Sequence, residues 1–336
     1  MKRVLHYARR FLPLAFGVAV LVYLFGFRTD PQENLNAVRS IDRNMLFYAV
    51  GLCLVSFVAT AWRLKLLVGL LGKQVSLWRV LVYTLIGHLY NSAIPGGAIG
   101  GDAIKALYLS QATGSKPQAF AAVMVDRLCG LFMMAALALA VLVPLIDEPT
   151  IRQAAAVIVA FAGCATVAII GLTSRRIRKL IPKGTSRKLP FSDAIRAFDE
   201  AMQIFRGHKP GLLAALLVSM LPQAAWIGMH IAIGNGIGAG LPWTEYAVLV
   251  PVTGMISALP ISFGGWGVGE AASIYFFGLR GVAEHNALLI SLGGRTLQLG
   301  WALLGLPLSM TLPRPKDISR AVDGEPVLEE TPGSQL

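Results

Sequence analysis

Apolar residues in this chain come in long uninterrupted blocks rather than in alternation with polar ones. The stretches 18–27, 45–71, 131–146 and 154–172 are almost free of charge. Several reach the ~20 residues that a membrane-spanning helix needs. Only helices and closed barrels can satisfy their backbone polar groups inside lipid. Barrel strands are segments of ~10 residues with alternating polarity, which these blocks are not. The pattern therefore predicts an all-α, polytopic helical bundle.

Read in order, the blocks predict helices at about 11–27, 45–71, 77–94, 103–112, 119–145, 152–173, 210–234, 244–261, 271–279 and 286–312. Two of the apolar stretches run into glycine-rich interruptions. The first is Pro95-Gly96-Gly97-Ala98-Ile99-Gly100-Gly101-Asp102, and the second is Ser262-Phe263-Gly264-Gly265-Trp266-Gly267-Val268-Gly269-Glu270. Between them lies a polar stretch, 174–209, with ten Lys/Arg against Asp193, Asp199 and Glu200. Within it Phe191, Ile195, Phe198, Met202 and Phe205 recur at helical spacing. That spacing suggests either an amphipathic helix on the membrane surface or a helix packed on the bundle. The polar tail 313–336 reads as disordered and cytoplasmic. The N-terminus has Lys2, Arg3, Arg9 and Arg10 before an apolar run, as signal peptides do, but Phe27-Arg28-Thr29-Asp30 offers no small-residue cleavage site. It is read as a retained first helix.

Charge bias orients these elements. The basic N-terminus is placed in the cytoplasm by the positive-inside rule. The balanced loop 28–44 then falls outside, and Lys73 and Arg79 fall inside. A single full crossing by 77–94 would put the basic 174–209 stretch outside. If 77–112 instead goes in from the cytoplasm, breaks and returns, that stretch stays inside and Asp147 and Glu148 fall outside. The segment 244–279 makes the matching excursion from the other face. The expectation is about seven full transmembrane helices plus two re-entrant broken hairpins, with both termini cytoplasmic in a cell membrane. Full crossings with glycines used for close packing are the competing arrangement. Irregular backbone at membrane depth survives only when buried in protein or lining a wet cavity. Paired Gly/Pro-broken segments in the two halves of a chain point to a transporter's substrate site.

Composition agrees with a membrane protein: 336 residues, 55% hydrophobic, 14% charged, net charge +12, and mean hydropathy +0.63. A soluble domain carries roughly 25% charged residues. The cations cluster between apolar blocks, which fits loops near anionic headgroups and argues against nucleic acid as a partner. Cys53, Cys129 and Cys164 sit inside apolar runs and form no zinc or disulfide pattern. The five histidines lack metal-ligand spacing, although His88 lies one helical turn from Asn91. The first glycine run lacks the Gly-Lys-Ser/Thr ending of a phosphate loop. No cofactor, metal or catalytic constellation is expected.

Charges at membrane depth cost a few kcal/mol and so face cavities or partners. Asp102 either caps a short helix or faces a headgroup, and Lys105 either joins it or snorkels. Arg127 is a candidate phosphate ligand, because guanidinium binds phosphate bidentately. Asp126 and Glu270 either position substrate or pair with Arg295 within the protein. Arg63 either binds substrate or snorkels at a helix end. Asn91 hydrogen-bonds a broken backbone or a headgroup.

Asn91, Pro95-Gly96, Gly100-Gly101-Asp102 and Lys105, then Asp126-Arg127-Leu128, then Pro260-Ile261-Ser262 with Gly264, Gly265, Gly267 and Glu270, together form a resemblance. They resemble the flippase-like family related to the membrane domain of lysylphosphatidylglycerol synthases, and Arg63 also fits. The resemblance spans about 14–312; Asp126 stands where Glu is more usual. It implies a lipid translocase with Arg63, Asn91, Asp102, Lys105, Asp126, Arg127, Glu270 and Arg295 at the substrate site. Pro95, Gly96, Gly97, Gly100, Gly101, Pro260, Ser262, Gly264, Gly265 and Gly267 would form its re-entrant backbone. Because only residues 313–336 follow the last helix, no aminoacyl-transferase activity is carried over. Expected partners are membrane lipids, with lipid-biosynthesis enzymes and further copies of the chain as candidates. The alternatives are a membrane-embedded enzyme and an accessory scaffold in lipid, hopanoid or glycolipid biosynthesis.

Overall fold

The computed structural model describes residues 41–93, 98–142, 149–173, 192–259 and 263–310, with single residues at 32, 36 and 39. The helix expected at 11–27, residues Pro95, Gly96, Gly97, Pro260 and Ser262, the basic stretch 174–191 and the tail 313–336 lie outside the described residues. Every regular element among the described residues is helical. In chain order they are α1 (Arg43–Leu70), α2 (Leu77–Ala93), α3 (Ala98–Thr113), α4 (Lys116–Leu142), α5 (Pro149–Thr173) and α6 (Ser192–Gly207). Then follow α7 (Lys209–Val218), α8 (Met220–Gly236), α9 (Trp243–Ser257), a 3₁₀ turn at Phe263–Gly265, α10 (Val268–Gly278), α11 (Glu284–Leu303) and α12 (Gly305–Ser309).

The expected helices 45–71, 119–145, 152–173 and 210–234 are found within a few residues of their positions. Four stretches among the described residues are long and apolar enough to cross a membrane: Arg43–Leu70, Lys116–Leu142, Lys209–Gly236 and Glu284–Leu308. α1 begins on a side-chain cap, with Asp42 Oδ1 accepting from the N–H groups of Asn44 and Met45 at 2.8 and 3.0 Å. At 1.5 Å per residue its 28 residues run about 42 Å, longer than the ~30 Å hydrocarbon core. α7 and α8 pack antiparallel to it, with Leu70 against Gly211, Leu52 against Gly228 and Met45 against Gly236. They form one apolar run bent at Ser219. The Ser219 hydroxyl donates to the Ala215 carbonyl one turn back at 2.7 Å, a bond that bends helices. Pro222 then removes a helix N–H. Trp78 at one end of the bundle and Phe47, Tyr48 and Trp243 at the other are exposed, as aromatic residues at the two membrane interfaces are.

The two glycine-interrupted segments fold as helical hairpins. In the first, α2 and α3 run antiparallel: Tyr83 faces Tyr108 with ring centroids 5.5 Å apart, and the Gly101 N–H donates to Asn91 Oδ1 at 2.9 Å. In the second, α9 and α10 run antiparallel: Tyr246 faces Phe277 at 5.7 Å, and Arg280 holds Glu245 bidentately at 2.7 and 2.9 Å. Both arms of each hairpin are under 18 residues; α10, with 11, rises only about 16 Å.

Two details differ from the sequence reading. The helix expected at 103–112 begins at Ala98, so Gly100 and Gly101 are helical and Asp102 is not a cap. Gly101 instead allows close helix packing: a methyl there would overlap the Gly87 carbonyl and the Asn91 side chain. In α6, Ala201, Met202 and Phe205 are buried in one apolar cluster with Ala119 and Ala122 of α4 and Ala215 of α7. That face is covered by protein, as in the packed alternative.

Candidate functional site: two charged clusters facing a shared cavity

The first cluster lies on α1, α3 and α4. Arg63 is seven residues from the end of α1, about 10 Å deep, and only 4% exposed. Its Nε donates to Asp126 Oδ1 at 2.7 Å and its Nη1 to the Ser219 hydroxyl at 3.1 Å. Arg63 is thus a buried ion-pair partner and not a snorkelling residue. Gly130, one turn beyond Asp126, makes room for the guanidinium; a Cβ there would sit 3.2 Å from Nη1. Lys105 is also buried and lies 3.4 Å from both Asp126 Oδ2 and Asp102 Oδ1, so it does not reach an interface. Arg127 points the other way around α4, about 100° from Asp126. It donates through Nε and Nη2 to Asp102 Oδ2 at 2.8 and 2.7 Å.

Three cations thus share two carboxylates, which leaves the cluster with one net positive charge. Burying such groups is tolerable only because each has a partner. The exposure is uneven: the side chain of Arg127 is 39% accessible, against 3% for Asp126 and 7% for Lys105. Only two of the five N–H groups of the Arg127 guanidinium have acceptors among the described residues.

The second cluster is built around Arg295, near the middle of α11. Its Nε pairs with Glu270 Oε1 at 2.6 Å. Nη1 donates to the Gly264 carbonyl at 2.9 Å, and Nη2 to the Ser257 hydroxyl at 2.6 Å and the Gly265 carbonyl at 2.8 Å. The Trp266 ring lies under the guanidinium, 5.1 Å from centroid to carbon. Glu270, fully buried, also accepts from the Gly267 N–H at 2.6 Å. Arg295 therefore ties the tip of the second hairpin to α11. Gly264, Gly265 and Gly267 have φ of 56°, 76° and 79°, a region that favours glycine. This turn could not be made by other residues without strain.

The described ends of the two hairpins meet at Asn91 of α2 and Gly264. A Cβ on Gly264 would come within 3.0 Å of the Asn91 carbonyl oxygen. Around this contact lie two adjoining cavities of about 270 and 330 Å³. The first reaches Arg63, Asp102, Lys105 and Asp126, and the second reaches Gly264, Gly265, Trp266 and Arg295. His88, Asn91, Arg127, Trp226 and Gln298 line both. Of the two ion pairs considered for Arg295, the one with Glu270 is formed and the one with Asp126 is not, because Asp126 has its partners in the first cluster. Ser219, Gln223, Ser257, Trp226 and Gln298 were not singled out in the sequence. Gln223 lines the first cavity and donates to the Gly130 carbonyl at 3.1 Å. A Gln or Ser within an apolar helix was the available signal.

The pattern of the family described as "Lysylphosphatidylglycerol synthase TM region" matches residues 10–306. The chain belongs to this family. It is a membrane protein of apolar helices. No curated protein matched the chain. Of the residues by which the sequence resembles the family, Arg63, Asp102, Lys105, Asp126 and Arg127 lie in the first cluster, Gly264, Gly265, Gly267 and Glu270 in the second, and Asn91 against Gly264.

Proposed function

We propose that this member of the lysylphosphatidylglycerol synthase TM region family moves a lipid with a polar, anionic headgroup between leaflets. The headgroup travels through the shared cavity while the acyl chains stay in lipid. The observation that carries this reading is Arg127: a guanidinium deep in an apolar helix, lining both cavities, with three N–H groups that have no acceptor among the described residues and excess positive charge behind it. Asp102 holds Arg127 in place and exchanges it with the incoming phosphate. Asp126, Arg63 and Lys105 fix α1, α3 and α4 around it. Arg295 and Glu270 act as positioning residues for the second hairpin rather than as headgroup ligands.

In this reading both hairpins are re-entrant. Their arms are shorter than a spanning helix, and the Gly264 and Gly265 carbonyls at the described end of the second are bonded to Arg295. With the sequence-predicted helix at 11–27, the full crossings then number six, one fewer than the expected count of about seven. An even number keeps both termini on the cytoplasmic side of a cell membrane. The role is transport and not group transfer, so incubation with labelled lipids yields no new product.

The test is leaflet exchange in liposomes. Purified protein is reconstituted with a fluorescent anionic phospholipid, and the fraction reaching the opposite leaflet is read by external quenching. Wild type is expected to exchange the lipid, and Arg127→Ala to lose at least tenfold in rate with its thermal unfolding intact. Equal rates in the variant, in Asp102→Ala and in wild type would remove the site from the pathway.

A further inference from the structure

The hydrogen-bonding capacity left unused around the cavities has a definite chemistry. Among the described residues, no carboxylate lining either cavity is without a cation: Asp102 holds Arg127 and Lys105, and Asp126 holds Arg63 and Lys105. Glu270, behind the second cavity, is closed off by Arg295 and the Gly267 N–H. An ammonium headgroup would find no free anion and would have to displace a bound cation. Arg295 has committed four of its five N–H groups.

What remains open at the junction of the cavities is one cation and three neutral polar groups. The cation is Arg127. The neutral groups are the Gln298 side-chain amide and the His88 ring nitrogens, which have no hydrogen-bond partner among the described residues, and the Asn91 side-chain N–H₂, whose carbonyl alone is engaged. Beside them stands the Trp226 indole. It is held by close packing on Gly254, where a methyl would collide with the ring, and by edge contact with His230 at 5.1 Å. A fixed aromatic face flanked by neutral donors and acceptors suits the apolar C–H face and hydroxyls of a polyol. The adjoining guanidinium suits a phosphate. The cavity volumes, about 270 and 330 Å³, are near the lower end of small-ligand sites, ~300–1,000 Å³.

We infer that the junction is a headgroup site for a lipid whose phosphate carries a neutral polyhydroxyl group of sugar size. Arg127 takes the phosphate, and Gln298, His88 and Asn91 take hydroxyls against the Trp226 face. The inference rests on the translocation reading above and goes further in naming the headgroup.

The test uses the full chain in liposomes with four acyl-labelled probes: phosphatidylinositol, phosphatidic acid, an aminoacylated phosphatidylglycerol and a neutral glucosyl diacylglycerol. In wild type, phosphatidylinositol is expected to exchange at least fivefold faster than each of the other three. In Gln298→Leu the ratio of phosphatidylinositol to phosphatidic acid rates is expected to fall about five- to tenfold, the size of one lost hydrogen bond. Gln298→Met serves in its place if the leucine variant does not fold. Equal wild-type rates for phosphatidylinositol and phosphatidic acid, or a ratio that does not move in the folded variant, overturn the polyol site and leave anionic-lipid transport standing. Fastest exchange of the aminoacylated lipid overturns both the polyol site and the anionic headgroup. Absence of exchange for all four probes overturns the transport reading itself. Thermal stabilisation in detergent is the second readout of the site: inositol 1-phosphate is expected to raise the unfolding temperature more than phosphoethanolamine, and equal shifts overturn the inference.

Discussion

Asp126 is shared by two cations from two other helices, and its side chain is 3% accessible. Removing the charge leaves the buried Arg63 without its carboxylate and Lys105 with Asp102 alone. Breaking a buried pair in this way costs about 3–5 kcal/mol. Asp126→Asn is therefore expected to lower thermal stability in detergent by a large margin. The double variant Arg63→Met, Asp126→Leu should lose less than the two single changes combined, as a double-mutant cycle would read. Additive losses would mean that the pair contributes nothing as a pair. The sequence marks the right charged residues, because an ionisable group inside an apolar block is costly wherever it points. It does not say which acid meets which base. Asp126 is adjacent to Arg127 in the chain, yet it pairs with residues 63 and 21 positions away. Only the packing of α1 and α3 on α4 decides that. Gln298 and Trp226 escape a charge-based reading because neither is ionised, although both line the two cavities.

At the scale of elements, the hairpins rest on glycines used in two different ways. Gly264, Gly265 and Gly267 supply positive φ in a turn. Gly101, in regular helix, allows the close approach to α2 that its N–H bond to Asn91 requires. Gly101→Ala is expected to force α2 and α3 apart and break the Asn91 contact, at about 1–3 kcal/mol. Gly51→Ala, in α1 with open space around it, is the control and should be neutral or stabilising by about 0.5–1 kcal/mol. Thermal unfolding of the two variants separates packing from backbone freedom; similar changes in both would deny Gly101 its packing role. Both glycine-rich runs lie where one hairpin arm gives way to the next, although Gly100 and Gly101 of the first are helical. It placed the start of α3 five residues late, because a run of glycines reads alike whether it breaks a helix or lets one pack tightly.

For the whole molecule, the order of apolar blocks was legible to within a few residues, and the antiparallel register of each hairpin was not. Register is set by pairs such as Tyr83 with Tyr108 and Glu245 with Arg280, far apart in the chain. The hairpins place residues 76 and 111 at one end of the bundle and 283 at the end where α1 begins. In a variant lacking Cys53, Cys129 and Cys164, Ser76→Cys and Gln111→Cys are expected to react with an impermeant thiol reagent from the cytoplasmic side alone, and Ala283→Cys from the opposite side alone. Labelling of Ser76→Cys and Gln111→Cys from different sides would mean that α2–α3 does not return.

The most direct measurement is a density map of the full chain in lipid nanodiscs rich in an anionic phospholipid. The account predicts a headgroup phosphate between the two hairpin tips, within charge-assisted hydrogen-bond distance, about 2.7–2.9 Å, of the Arg127 guanidinium, with acyl chains leaving between helices into the bilayer. A junction filled only by water or closed by side chains, with lipid confined to the outer surface of the bundle, would contradict it.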